Sequence, residues 1–187
     1  MLEKYYGNQE KYAFAFQMMA YISRLAPLRK ALKQNYKVII TERSIYTDKM
    51  VFAKMLYDDK KIEDVEYQIY VKWFSEFLED IPTPHIIYVQ TNPEIAKIRV
   101  DKRARKGETI PLEYLKNCHK YHENWLINNS HRNMFLWCCD EVETLMKETN
   151  PEILKKYLLT LDGNIDITVN TKQPDLWIKL INNFINY

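Results

Sequence analysis

Apolar residues recur at helical spacing over residues 8–34, where Phe14, Met18, Tyr21, Ile22, Leu25 and Leu28 predict one long helix that Pro27 bends or interrupts. Residues 46–57 and 62–79 repeat the pattern and predict two more amphipathic helices. Three short unbroken apolar runs punctuate the chain: Val38-Ile39-Ile40, Ile86-Ile87-Tyr88-Val89 and Tyr157-Leu158-Leu159-Thr160-Leu161. Each is too short for a helix and rich in β-branched or aromatic side chains, so each is expected as a buried parallel strand. Asn92-Pro93-Glu94 offers an N-cap, a proline at the first helical position and an early acid, and Ile110-Pro111-Leu112-Glu113 opens a further helix. Strands alternating with helices predict an α/β domain built on a parallel sheet flanked by helices.

Composition narrows the picture. At 187 residues with 47% hydrophobic content, one compact domain over residues 1–187 is the default expectation. No uninterrupted apolar run reaches the roughly 18 residues of a membrane span, and the N-terminus MLEKYYGNQEK has no signal-peptide character. The expectation is a cytoplasmic protein with no membrane partner. The net charge of +2 gives no footprint for nucleic acid. Three cysteines, Cys118, Cys138 and Cys139, are expected as reduced thiols, and with His119 and His122 they match no common zinc spacing.

In an open parallel sheet the ligand crevice lies beyond the carboxyl ends of the strands. The polar residues there are Glu42-Arg43-Ser44, Gln90-Thr91 and Asp162-Gly163-Asn164. A carboxylate such as Glu42 can accept a proton from a substrate hydroxyl while the adjacent Arg43 holds it and a phosphate oxygen; an ordinary salt-bridged strand end has the same sequence. Arg99 and Arg103 fall at i, i+4 on one helical face, with Arg105 just beyond. Such a cluster suits the charge that spreads over a transferring phosphoryl group, and equally a solvated helix face. Gln17 and Arg24 lie two turns apart on the long helix among aromatic rings, an arrangement that suits a nucleobase edge or a core stripe with a snorkelling end.

Taken together, FAFQMMAYISR at 14–24, ERSIYTDKMVFAKMLY at 42–57, RVDKRAR at 99–105 and IPLEYLKNCHKYHENWL at 110–126 resemble, in order and spacing, the deoxycytidine/deoxyguanosine kinase family and its insect and viral members. The resemblance runs from about Tyr6 to the final helix. It implies a P-loop-kinase-like fold, ATP and Mg²⁺ as cofactors, transfer of a phosphoryl group to the 5′-hydroxyl of a deoxyribonucleoside, and a homodimer packed through long helices of the first half. By resemblance, Glu42 is the general base and an indirect, water-mediated ligand of Mg²⁺, with Arg43 as its partner. Gln17 pairs with the nucleobase, and Arg24 and Asp48 form the ion pair that sorts bases. Tyr6 and Glu108 hold the sugar 3′-hydroxyl; between Arg105 and Pro111 the chain is one residue shorter than the mammalian pattern. Arg99, Arg103 and Arg105 are lid arginines, and Asp162, Asn164 and Asp166 belong to the loop against the donor base. Arg24 and Asp48, with small Ala20 nearby, fill the space of a 5-methyl group, so deoxycytidine or deoxypurines are expected over thymidine.

The family's phosphate loop, G-x-x-x-x-G-K-[ST], is not in the sequence, since none of Gly7, Gly107 and Gly163 begins it. In the family that loop follows a strand between those corresponding to 38–41 and 86–90. The expected consequence is a sheet with an unfilled position and poor stability of the isolated chain, because orphaned buried backbone groups cost about 1 to 3 kcal/mol each against a total of about 5 to 15. Two expectations follow: an N-terminally incomplete kinase domain whose longer product is active, favoured by the intact base and lid residues, or a non-catalytic nucleoside-binding or partner-completing chain. A nucleic-acid module and a thymidylate-kinase-like enzyme fit the charge and the Gln17, Arg24, Asp48 set less well.

Overall fold

A computed structural model describes residues 2–78, 81–105, 110–128 and 157–186. The chain divides into two compact units, the first of residues 1–82, 105–109 and 120–122, the second of the remainder.

The first unit is helical. Helix α1 spans Leu2–Gly7. Helix α2 spans Gln9–Leu32 and begins where the Asn8 side chain accepts from the Lys11 N–H. Pro27 lies inside it without ending it. Both Pro27 and Ser23 are exposed, so the Ser23 carbonyl that loses its helical donor faces water. The buried stripe of α2 is Ala13, Gln17, Tyr21 and Leu25, spaced i, i+4, i+8, i+12. This differs from the apolar spacing in the sequence: Ile22 is exposed, and a polar residue, Gln17, occupies the core face.

Residues 38–41 are not a strand, contrary to the sequence pattern. Val38 and Ile40 are exposed, at 50% and 73%. An apolar run becomes a strand only when a neighbour completes its ladder, and none does so among the described residues. The next helix starts on Ser44, whose Oγ accepts from the Thr47 N–H. It runs as α3 (Ile45–Thr47), a π-helical stretch (Asp48–Ala53) and α4 (Lys54–Asp58). Helix α5 (Asp64–Glu76) opens with a capping box between Glu63 and Glu66. Tyr21, Tyr70 and Phe74 pack edge-to-face and tilted, with Val51, Met55 and Leu56 also in the core.

The second unit carries the sheet. Strands β1 (Ile86–Gln90) and β2 (Leu158–Asp162) pair in parallel, Ile86 opposite Leu158 through Gln90 opposite Asp162. Helix α6 (Pro93–Arg103) follows β1 and ends on Ala104, a non-glycine residue in the left-handed region at φ 48°. Helix α7 (Leu112–Glu123) continues into a π-helical stretch (Asn124–Asn128), and α8 (Gln173–Ile185) closes the described chain. The molecule is therefore mixed α/β, mostly helical, with a small parallel sheet. No helix among the described residues is long and apolar enough to cross a membrane.

Candidate active site

The acceptor-side candidates fall in the first unit. Gln17 is 3% exposed, and its Oε1 makes no hydrogen bond. Two turns along α2, Arg24 Nη1 donates to both carboxylate oxygens of Asp48, at 2.7 and 2.8 Å. Asp48 sits at the first position of the π-helical stretch, a local widening of the kind that re-aims side chains at functional sites. Burial pushes the Asp48 carboxyl above its ordinary range, and the Arg24 charge opposes that rise without cancelling it. Tyr6 is half-buried and tilted against Tyr5, which stacks on Phe16 of α2.

Glu42 and Arg43 are both exposed. Arg43 has φ 63°, a left-handed backbone that costs a non-glycine residue on the order of 1 to 2 kcal/mol. Its guanidinium lies 4.6 Å from the centre of the Phe52 ring, and the His122 ring meets Phe52 edge-on. Glu42 and Arg43 are also close enough to Asp48 for their charges to act on its titration. Glu42, Arg43, Arg24 and Asp48 thus share one electrostatic neighbourhood. Glu108 lies outside the described residues.

Two residues that patterning reads only as core belong to the same region. Tyr70 is fully buried with an unpartnered hydroxyl, and burial together with the nearby Asp48 charge pushes that hydroxyl far up. Phe52 carries Arg43. Their sequence signal, aromatic residues at helical spacing, is the ordinary signal of a core and does not separate them from it.

The second unit holds the lid and loop candidates. Arg99 donates through Nη1 to the Gly163 carbonyl at 2.6 Å, and through Nη2 to the carbonyls of Asn164 at 3.3 Å and Ile165 at 3.2 Å. Arg103 ends α6, and Arg105 lies beyond the Ala104 turn. Asp162 Oδ1 accepts from the Asn164 N–H, and Asn164 Oδ1 accepts from the Asn92 N–H at the start of α6. Asp166 Oδ1 accepts from both the N–H and the hydroxyl of Thr168, bonds that hold its carboxyl below the usual range. Gly163 N–H donates to the Gln90 carbonyl, one step past the ladder. A Cβ on Gly163 would overlap Thr91 Oγ1 and stand 2.8 Å from the Gln90 oxygen, so only glycine fits. Beside this turn is an open pocket of about 630 Å³, lined by Val89, Ile98, Arg99, Lys102, Ile167 and Trp177 together with the turn itself. Nearby, Glu123 Oε1 accepts from the Tyr88 hydroxyl and from Gln90 Nε2, tying the end of β1 in place.

The deoxynucleoside kinase family model matches residues 1–186, essentially the whole chain. The chain belongs to the deoxynucleoside kinase family. A probable deoxycytidine kinase of fowlpox virus is 40% identical over 134 residues, covering 70% of this chain and 57% of the viral protein. Human deoxycytidine kinase is 35% identical over 167 residues, covering 84% of this chain and 64% of the human protein. The mitochondrial deoxyguanosine kinase of Xenopus laevis is 35% identical over 136 residues, covering 67% of this chain and 51% of its own length. The chain thus spans between half and two thirds of these relatives. Its fold is that of a P-loop kinase lacking some parts, and the phosphate loop is not among its 187 residues.

Proposed function

We propose that this chain carries the nucleoside site and the donor-base site of an ATP-dependent deoxynucleoside kinase that phosphorylates the 5′-hydroxyl of deoxycytidine or a deoxypurine in preference to thymidine. The observation that carries the reading is Gln17. A buried acceptor with no partner costs about 1 to 3 kcal/mol, and a nucleobase edge would supply the missing donor, through an exocyclic amine or, in thymine, the ring N3–H. Gln17 therefore supports a base site, and the choice among bases rests on the neighbouring residues. In this reading the Arg24–Asp48 pair, two turns further along α2, takes up space that a 5-methyl group would need. The relatives named as deoxycytidine and deoxyguanosine kinases support the same preference.

In this reading Glu42 takes the proton from the 5′-hydroxyl, and Arg43, braced on Phe52, orients the reacting groups. Tyr6 and Glu108 hold the sugar. Arg103 and Arg105 offer positive charge to the donor phosphates. The open pocket beside the Asp162–Ile167 turn, with apolar and charged side chains in its lining, is where this reading seats the base half of ATP. Mg²⁺, held through Glu42 and water, would neutralise phosphate charge.

Isothermal titration of the chain with deoxycytidine, deoxyadenosine, deoxyguanosine and thymidine tests the acceptor site, and thymidine as the tightest ligand would sink the preference. Incubation with ATP, Mg²⁺ and the bound nucleoside then tests transfer. A second reading, a nucleoside-binding chain without transfer, is favoured by the lack of a G-x-x-x-x-G-K-[ST] run among these residues. Tight nucleoside binding with no 5′-monophosphate formed would select it.

The partner in this reading is a second copy. Val65, Ile69 and Trp73 make an exposed i, i+4, i+8 apolar stripe on α5, and α2 exposes Met19 and Ile22. Ile69→Glu should shift a dimer to monomer in light scattering, and a wild-type monomer at micromolar concentration overturns the dimer.

A further inference from the structure

Three hydrogen bonds hold the first part of the turn after β2: Gly163 N–H on Gln90, Asn164 N–H on Asp162, and Asn164 Oδ1 on the Asn92 N–H. They act on residues 162–164. The turn's share of the cavity wall continues through the residues that follow, Ile165, Asp166, Ile167 and Thr168, and Arg99 lines the same cavity. The group that reaches across the join is Arg99, which grips the carbonyls of Gly163, Asn164 and Ile165 at once. The three successive carbonyls converge on one side chain, and a planar guanidinium reaches them from two separated nitrogens held in a rigid fork, whereas a lysine ammonium would have to reach all three from a single atom on a flexible stem. Both terminal nitrogens of Arg99 are engaged in this way. Three of its five N–H donors are used, and a phosphate contact through Nη2 would require giving two of these bonds up.

We propose that Arg99 is a positioning residue for the donor base: it fixes the Asp162–Ile167 turn, and so the cavity wall, and acts on nucleotide affinity through that turn and not through phosphate. This rests on reading the cavity as the donor-base site; that Arg99 holds the turn does not.

Hydrogen exchange on the ligand-free chain tests the turn, and adenosine and ATP titrations followed by Trp177 fluorescence test the cavity, with Trp177→Phe as the optical blank. In both Arg99→Gln and Arg99→Lys, exchange of the amides at 165–168 should quicken roughly tenfold while β2 amides keep their protection. Adenosine, which has no phosphate, and ATP should lose affinity by the same factor. Unchanged exchange overturns the proposal, and so does a loss confined to ATP, which marks a phosphate contact. If the wild-type chain binds neither ligand, the donor-base reading falls and takes the affinity half of the proposal with it, while the exchange result still decides whether Arg99 holds the turn. Arg99→Lys keeps the charge and the helix, so it serves if the glutamine variant does not fold.

Discussion

Arg24 and Asp48 form an unequal pair: a single guanidinium nitrogen serves both carboxylate oxygens, yet the Asp48 side chain is 1% exposed and that of Arg24 25%. The partner that can reach water is the cation. Removing Arg24 leaves a buried anion alone, while removing the Asp48 charge leaves a cation that water can solvate. Arg24→Met should therefore lose about 3 kcal/mol in urea unfolding, and Asp48→Asn less than half as much. Equal losses would show that the burial asymmetry is without consequence.

The same asymmetry sets a pH dependence. Asp48 is raised above its ordinary value of 3.8, chiefly by burial, so the folded chain binds its proton more tightly than the unfolded chain. The resulting stabilisation is complete below the unfolded value and is lost as pH rises through the folded one. The difference in Tm between wild type and Asp48→Asn should therefore move against the wild type as pH is raised through that window. A difference that is flat with pH contradicts the shift.

Gln17 trades stability for recognition. Gln17→Leu fills the same volume and removes the unpartnered acceptor, so it should leave stability unchanged or raise it by about 1 kcal/mol. Nucleoside affinity should fall more than tenfold, the cost of losing a buried hydrogen bond to ligand. Calorimetry and urea unfolding on one preparation read both effects. A loss of stability without a loss of affinity would make Gln17 a structural residue.

Gly163→Ala places a methyl group against the Gln90 carbonyl and the Val89 side chain as well as Thr91. Backbone cannot yield as a side chain does, so the expected loss is about 2 kcal/mol. Thr91→Ala in the same chain should recover only part of it. Full recovery, read as Tm, would mean that the side chain alone was in the way.

The local elements were legible in the sequence because their causes are local. The β1 and β2 runs, the Asn92-Pro93 start of α6 and the cluster of Arg99 and Arg103 on its last turns follow from side-chain spacing and capping chemistry, and they form where spacing places them; the strands, expected as buried, are mostly half-buried with Val89 exposed, because burial depends on what covers the sheet. Pro27 stays inside α2 because its exposed position lets water take the freed carbonyl, a matter of burial that spacing does not encode. The Val38–Ile40 run has the composition of a strand and is none, because a strand exists only by pairing, and pairing belongs to two segments at once. The family motifs named Gln17, Arg24, Asp48 and Glu42 by type and order. Tertiary structure alone decided that the Gln17 acceptor is buried without a partner, that Asp48 is buried more deeply than Arg24, and that Arg99 turns to three carbonyls of the Asp162–Ile167 turn. Sequence fixes which groups a chain carries, whereas desolvation and hydrogen-bond partners depend on which segments meet, and those quantities set the energy of a site.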